Sequence, residues 1–526
     1  MSASITLADL SWSTPEGRPL LSDINLSFTA ERAGLVGRNG VGKTTVLKLI
    51  AGDLAPQSGR VSVNGRLGVL RQAVQVDADE TVADLFEVRP ALALLDRAEA
   101  GEADADELAR ADWTLESRFA AALARLGLDA TPQTRLSTLS GGQRTRAGLA
   151  ALVFAEPDFI LLDEPTNNLD REGRRNVIDL LAGWDGGAIV VSHDRELLET
   201  MDAIVELTTL GVTRYGGNWS HYRERKAIEL AAARQELSDA ERRVDGIARR
   251  GQEMAERKAR RDRGGERTRA RGDIPRIQLN AMKDRAENTS GAHARTAERL
   301  RTQALVDATA ARRKVEVLQP LTVALPSTEL PAGRIVLKVD KASVGYEPQR
   351  PVLHKLSFEI VGPERVAVTG PNGSGKTTLL ALITGHLQPA SGSVRVMTRF
   401  ALLDQQVSLL DPALSIRDNF RRINPRVDEN ACRAALARFM FRADAALQTV
   451  AALSGGQMLR AGLACVLAGD PPPLLILDEQ TNHLDIESIE AVEAGLQAYD
   501  GALLVVSHDE TFLEALGVTR RLELPA

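Results

Sequence analysis

Gly37-Arg-Asn-Gly-Val-Gly-Lys-Thr44, Leu139-Ser-Gly-Gly-Gln143 and Leu161-Leu-Asp-Glu164 follow one another along the first half of the chain. The same three segments return, in the same order, as Gly370-Pro-Asn-Gly-Ser-Gly-Lys-Thr377, Leu453-Ser-Gly-Gly-Gln457 and Ile476-Leu-Asp-Glu479. Each glycine loop follows an apolar segment, 33–36 or 366–369, and runs into an apolar helix expected over 45–51 or 378–384. Segments 159–162 and 474–477 are near-continuous apolar runs, the pattern of strands covered on both faces. Strands alternating with helices predict an α/β fold, a mainly parallel sheet wrapped by helices and built twice.

The spacing supports a duplication. Asp163 to His193 and Asp478 to His508 are both 30 residues, and Ser140 to Asp163 and Ser454 to Asp478 are 23 and 24. Lys43 to Ser140 is 97 residues against 78 from Lys376 to Ser454, which places about 19 extra residues in the first half, near 91–111. The expected boundaries are 1–216 for the first domain, 217–332 for a linker and 333–526 for the second domain.

The linker differs in composition, being rich in Ala, Arg, Glu and Gln. Leu230, Leu237 and Val244 recur every seven residues, with Ala233, Ala240, Ile247 and Met254 at complementary positions, a seam for helix packing. A return helix is expected over 277–318, with Gly264-Gly265, Gly272 and Pro275 breaking the hairpin at a tip near 258–276. From Arg249 to Arg285 there are thirteen Arg or Lys and six Asp or Glu, a local balance of +7 in a chain of net charge −6. A charge run is usually a solvated helix face. Concentrated at a hairpin tip against an acidic remainder, it points to nucleic-acid contact.

With 526 residues the chain exceeds one core. Two cysteines, Cys432 and Cys465, exclude a disulfide framework, an iron–sulfur cluster and a zinc ribbon. The start, Met1-Ser-Ala-Ser-Ile-Thr6, has no basic or continuous apolar stretch, and no run of eighteen apolar residues occurs, so neither a secretory signal nor a membrane span is expected. A cytoplasmic protein is the expectation.

Glycine loops at strand-to-helix junctions suit phosphates, because bare backbone N–H groups approach closely and the helix dipole favours negative charge. The candidate nucleotide-binding set is Gly37, Asn39, Gly40, Gly42, Lys43, Thr44 and Thr45, repeated as Gly370, Asn372, Gly373, Gly375, Lys376, Thr377 and Thr378. Lys43 and Lys376 would reach the β- and γ-phosphates, and the Thr44 and Thr377 hydroxyls would hold Mg²⁺. Asp163 and Asp478, at strand ends, would position the same ion. Glu164 and Glu479 follow as candidate general bases for the attacking water. Ser140, Gly141, Gly142 and Gln143, with Ser454, Gly455, Gly456 and Gln457, open helices whose N–H groups can grip a γ-phosphate.

These motifs resemble the ATP-binding cassette family and, within it, the soluble twin-cassette branch called ABC-F. The likeness spans nearly the whole chain and includes Asp163-Glu-Pro-Thr-Asn-Asn-Leu-Asp170, Asp478-Glu-Gln-Thr-Asn-His-Leu-Asp485 and the linker entry Tyr215-Gly-Gly-Asn-Trp-Ser-His-Tyr-Arg-Glu-Arg-Lys226. It implies two P-loop nucleotide-binding domains in tandem, joined by a helical hairpin. It also implies that His193 and His508 are switch histidines sensing the γ-phosphate, and that Gln72 and Gln405 (or Gln406 in another register) contact Mg²⁺ and the water. Asp170 and Asp485 match the D-loop. Tyr346 fits the adenine-stacking position; Trp12 is either its counterpart or a packed core aromatic.

By the same resemblance the cassettes close head-to-tail as an intramolecular pair in a monomer, each Ser-Gly-Gly-Gln segment completing the other cassette's site. Members of the branch act on the ribosome, with the linker tip reaching toward ribosomal RNA and the peptidyl-site transfer RNA, in translation control or antibiotic protection. Gln480 and Asn168 depart from the usual proline and histidine; neither removes a phosphate ligand or the base, but they could make the sites unequal. An ATPase subunit of a membrane importer explains the cassettes but not the basic bridge. DNA-repair relatives carry zinc modules or very long coiled coils that this sequence lacks.

Overall fold

Apolar strands covered on both faces frame each half of the protein. In the computed structural model these are seen among residues 3–70, 77, 79–167, 169–209, 211–269, 298–312, 325–346, 351–479 and 484–525, the side chains of 255 and 258–269 lying outside the description. The first sheet runs in the order Leu67–Val69, Phe159–Asp163, Gly187–Val191, Arg32–Val36, Ala203–Thr208, Gly211–Gly216. All its neighbours are parallel except the final pair, which is antiparallel. The second follows the same plan, Phe400–Leu403, Leu474–Asp478, Ala502–Val506, Arg365–Thr369 and Arg520–Glu523, parallel throughout.

Phe159 to Leu162 and Leu474 to Leu477 are all 1 % exposed or less, as their unbroken apolar pattern requires. A smaller antiparallel sheet accompanies each: Pro19–Phe28, Ser4–Ser13 and Ser58–Asn64 in the first half, Leu353–Val361, Ile335–Val344 and Ser391–Val396 in the second. In both main sheets the strand feeding the phosphate loop, the strand ending before the histidine and the strand ending in the aspartate are consecutive neighbours. Parallel strands end at the same edge of the sheet, so loop, carboxylates and imidazole converge there.

Gly37 shows why the loop cannot carry side chains everywhere. Its φ is +145°, and a Cβ would lie 2.2 Å from the Leu207 carbonyl oxygen. Helices Lys43–Ala51 and Lys376–Ile383 start immediately after, each capped by a glycine in the left-handed region (Gly42, φ 110°; Gly375, φ 92°).

By its contacts the chain divides into Met1–His221 with Pro320–Ala526, which holds both sheet systems, and Tyr222–Gln319. The described residues of the second unit are helical. Trp219–Arg269 forms one 51-residue helix, and residues 298–312 form a second. Ala233, Ala240 and Ala304 are buried where helices pack, while Leu230, Leu237 and Val244 are only half-buried and Met254 is 61 % exposed. Arg312 Nη2 binds Glu241 Oε1 at 2.7 Å, joining the two helices.

Gly264-Gly265 does not break the first helix as expected; the backbone stays helical to Arg269. Glycine costs about 1 kcal/mol relative to alanine inside a helix, a penalty that a long established helix absorbs. The rest of the expected tip, residues 270–276, and the start of the return helix lie outside the described residues. No described helix is long and apolar enough to cross a membrane.

Candidate active site

Lys43 lies at the start of its helix, buried, with Nζ donating to the Gly37 carbonyl at 2.6 Å and the Arg38 carbonyl at 3.2 Å. Lys376 does the same to Gly370 and Pro371, at 2.9 and 3.0 Å. Burial pushes both ammonium groups below their ordinary range, opposed at Lys43 by Glu164 first and at Lys376 by Glu479. Each lysine thus sits over its own glycine loop with acidic groups close by. The Thr44 hydroxyl donates to Asp163 Oδ2 at 2.8 Å, putting two oxygen donors at one spot.

A cleft of about 1380 Å³ opens beside this loop. Asn39, Gly40, Gly42, Lys43, Thr44, Thr45, Asp163 and Glu164 line it, together with Gly141, Arg144 and Thr145 from the helix that Ser140 caps. That helix, Gly141–Phe154, begins with a reciprocal box: the Ser140 N–H donates to Gln143 Oε1 at 2.9 Å and the Gln143 N–H to Ser140 Oγ at 3.2 Å. Ser454 and Gln457 make the same box at 3.0 and 3.3 Å, opening Gly455–Leu467. The glycines between them serve different ends. A Cβ at Gly455 would meet nothing within 4 Å, whereas one at Gly456 would lie 2.1 Å from Ser488 Oγ, so Gly456 is required by packing.

Glu164 and Glu479 share an unusual backbone. Their φ values are +49° and +47°, left-handed for residues with a side chain. Each N–H donates at 2.9 Å to the last residue of the neighbouring strand, Val191 or Val506. Left-handed φ costs about 1–2 kcal/mol in a residue with a Cβ. Strain of this kind clusters at functional sites, where surrounding structure over-determines it. Burial lifts the Glu164 carboxyl to about 8, with Lys43 pulling it back and Asp163 adding to the rise. Asp478 is pushed up to about 6 by burial, then by Glu479 and Asp404.

His193 Nε2 lies 3.2 Å from Glu164 Oε1 but outside hydrogen-bond geometry, and both ring nitrogens of this buried imidazole lack a hydrogen-bond partner. His508 Nε2 is 3.8 Å from Glu479 Oε1 and is likewise unpartnered. Burial, and then Lys43, depresses His193 to about 3; burial and Lys376 depress His508 to about 4. Both rings are therefore neutral near pH 7. Buried polar atoms without partners are costly in a finished core, and they suit a pocket that takes up a polar ligand. The Thr44–Asp163 oxygen pair suits a hard cation such as Mg²⁺, which keeps waters and phosphate oxygens for its remaining positions. No cluster of three or more His, Cys, Asp or Glu exists among the described residues that could hold a metal unaided.

Of the two glutamine registers, Gln405 is the one whose Nε2 donates to Glu479, at 3.0 Å to Oε2. Gln72, Asn168 and Gln480 lie outside the described residues. Tyr346 is 69 % exposed. Trp12, in strand Ser4–Ser13, is half-buried against the core of the first half.

The two halves touch through a series of polar pairs. The Asn39 N–H donates to Asp485 Oδ2 at 2.8 Å, and Arg38 pairs with Glu487. Arg195 makes a two-point pair with Glu493 at 2.8 and 3.2 Å, and Arg171 reaches Glu510 at 3.3 Å. Arg460, on the helix that Ser454 caps, feels Arg38, Asp485 and Glu487, so this helix is within electrostatic reach of the first phosphate loop. The available signal was compositional: helix Arg171–Ala182 opens with arginines, and helix Ile486–Gln497 carries Glu487, Glu490 and Glu493.

Doubled phosphate loops, acidic strand ends and strand-end histidines define a tandem ATP-binding-cassette ATPase. A family model described as "ABC transporter" matches residues 21–167 and again 353–482. The chain is 33 % identical to the tylosin resistance ATP-binding protein TlrC of Streptomyces fradiae, over 94 % of this chain and 92 % of that protein. It is 31 % identical to the energy-dependent translational throttle protein EttA of Mycobacterium tuberculosis, over 94 % and 87 %. Its fold is similar to a solved structure of an RNase-L inhibitor, with a TM-score of 0.61 at 18 % identity, covering 97 % of this chain and 86 % of that one. The chain belongs to the ABC-F family and is an ATPase.

Proposed function

We propose that the two cassettes close head-to-tail around two ATP molecules, and that this cycle drives action on the ribosome. The reading takes 1–216 and 333–526 as the ATPase domains and 217–332 as the linker. The observation that carries it is the Asn39–Asp485 hydrogen bond, in which the first phosphate loop is already held by an acid of the second cassette.

In each site the loop amides and Lys43 or Lys376 bind the phosphates. Thr44 with Asp163, and Thr377 with Asp478, would hold Mg²⁺, with Gln72 or Gln405 beside it; the ion supplies charge neutralisation at the β- and γ-phosphates. Glu164 and Glu479 accept the proton of the attacking water, and Gln405 orients Glu479. A base is most effective when its pKa lies near working pH, and burial brings Glu164 into that range. His193 and His508, neutral and with Nε2 unpartnered, contact the γ-phosphate. Ser454 to Gln457 complete the first site and Ser140 to Gln143 the second. Tyr346 stacks on adenine in the second site.

Ribosomal action is supported by the relatives' names, which speak of tylosin resistance and of a translational throttle, and by the +7 linker segment. We take the protein to work as a monomer in the cytoplasm, its linker contacting ribosomal RNA and the peptidyl-site transfer RNA. The test is ribosome co-sedimentation of the Glu164→Gln, Glu479→Gln double variant with and without ATP. Pelleting that depends on ATP is expected. A variant that binds ATP yet stays in the supernatant with ribosomes present overturns ribosomal action.

A further inference from the structure

Between the cassettes lies a cavity of about 40 Å³ lined by both glutamate–histidine pairs, Glu164 with His193 and Glu479 with His508. Arg174 lines it too, its side chain only 11 % exposed. Nε and Nη2 of Arg174 reach Asp194 Oδ2 at 3.0 and 2.8 Å, while Nη1 donates to the carbonyl oxygen of His508 at 2.8 Å. Asp194 directly follows His193 and accepts the Glu196 and Leu197 N–H groups, so its carboxylate is fixed to the turn that carries His193. One planar guanidinium therefore holds the histidine-bearing turn of each cassette, and its fork geometry allows both contacts at once.

The bridge is built from one side. Arg174 stands eleven residues after Asp163, and Ile489 stands eleven after Asp478. Ile489 lines the same cavity, is buried, and offers no donor.

We propose that Arg174 is a positioning residue that couples the two ATP sites. Movement of the His193 turn toward a γ-phosphate carries Asp194, and through Arg174 the main chain at His508. A buried arginine cannot leave a carboxylate or carbonyl unpaired without a large penalty, so the two turns shift together. The inference rests on the reading of Glu164 with His193 and Glu479 with His508 as the hydrolytic pairs.

The experiment is equilibrium ATP binding to the Glu164→Gln, Glu479→Gln double variant, carrying Arg174, R174Q, R174I or R174K. With Arg174, filling one site is expected to tighten the other about fivefold or more, a usual size for coupling between sites. R174Q should make binding non-cooperative while keeping mean affinity within about threefold, and R174K should restore part of the cooperativity. R174I, which places the second cassette's own apolar residue at this position, repeats the measurement should R174Q fail to fold.

Equal weakening of both sites with cooperativity intact means an ordinary packing role and overturns the proposal. So does non-cooperative binding when Arg174 is present. Hydrolysis by the single variants Glu164→Gln and Glu479→Gln separates the underlying reading. If neither lowers turnover, the glutamate assignment fails, while the binding curves still decide the role of Arg174.

Discussion

The backbone N–H of Asn39 donates to Oδ2 of Asp485 at 2.8 Å, joining residues 446 positions apart. Asp485 also caps its own helix, its Oδ1 accepting the Ser488 N–H at 2.9 Å. Burial acts to raise this carboxyl, yet the hydrogen bonds from Ser488 and Asn39 outweigh it and hold it below its ordinary range. One ionised carboxylate thus starts a helix in one cassette and steadies the phosphate loop of the other.

Asp485→Ala should cost about 1–2 kcal/mol of stability in urea unfolding, the range for a lost helix cap. It should also raise KM for ATP about fivefold or more in the Glu479→Gln background, where the first site alone keeps its glutamate, because a charge-assisted bond to that loop contributes about 1.5–3 kcal/mol. A smaller rise is expected in the Glu164→Gln background. Equal rises in both backgrounds would mean that Asp485 does not act on the first site.

The raised Glu164 carboxyl has a consequence for stability. Its folded value, about 8, lies above the ordinary 4.5, so the unfolded chain loses its proton first as pH rises. Stability is therefore lost between about pH 4.5 and 8, where the folded state must keep the proton or bury a charge. Glu164→Gln has no proton to lose. In the nucleotide-free protein its Tm should exceed that of the parent by at least about 3 °C at pH 9, with little difference at pH 4.5. A Tm advantage independent of pH would contradict burial of a titrating Glu164.

His193 and His508 should not titrate near neutrality. Burial holds His193 at about 3 and His508 at about 4. Their NMR signals, assigned through His193→Asn and His508→Asn, should report neutral rings at pH 6. A ring shift centred near pH 6.5 would show solvent reaching the imidazole. The sign for stability is opposite to that of Glu164: the unfolded chain takes up protons first, so these histidines lower stability as pH falls below about 6.5.

Arg195 and Glu493 form a buried pair across the cassettes, with 7 % and 10 % of their side chains exposed. Arg195→Met should destabilise by about 3–5 kcal/mol, since it leaves Glu493 buried without a partner. Arg195→Met with Glu493→Met should recover most of that loss, as apolar replacement of a buried ion pair is often close to neutral. Additive losses in urea unfolding would show that the two side chains act independently.

Local spacing in the sequence determined both phosphate loops, the acids at the ends of the aspartate strands, the helix-opening Ser-Gly-Gly-Gln segments and the parallel α/β frame. Each depends on neighbours within a few residues or on one strand-to-helix junction, so residue type and interval suffice. The repeat interval alone paired His193 with His508.

Other features were decided only by tertiary structure. Gln405 rather than Gln406 meets Glu479 because the turn after strand Phe400–Leu403 sets which of the two exposed side chains reaches it. The left-handed φ of Glu164 and Glu479 arises where each N–H is tied to the adjacent strand, a long-range pairing with no local signature. Arg174, Arg195 and Glu493 read as ordinary charged helix residues, and Asp485 only as a match to a family motif, until the cassettes dock. Docking joins positions 298 to 446 apart, and only there does the loss of water turn these charges into specific partners.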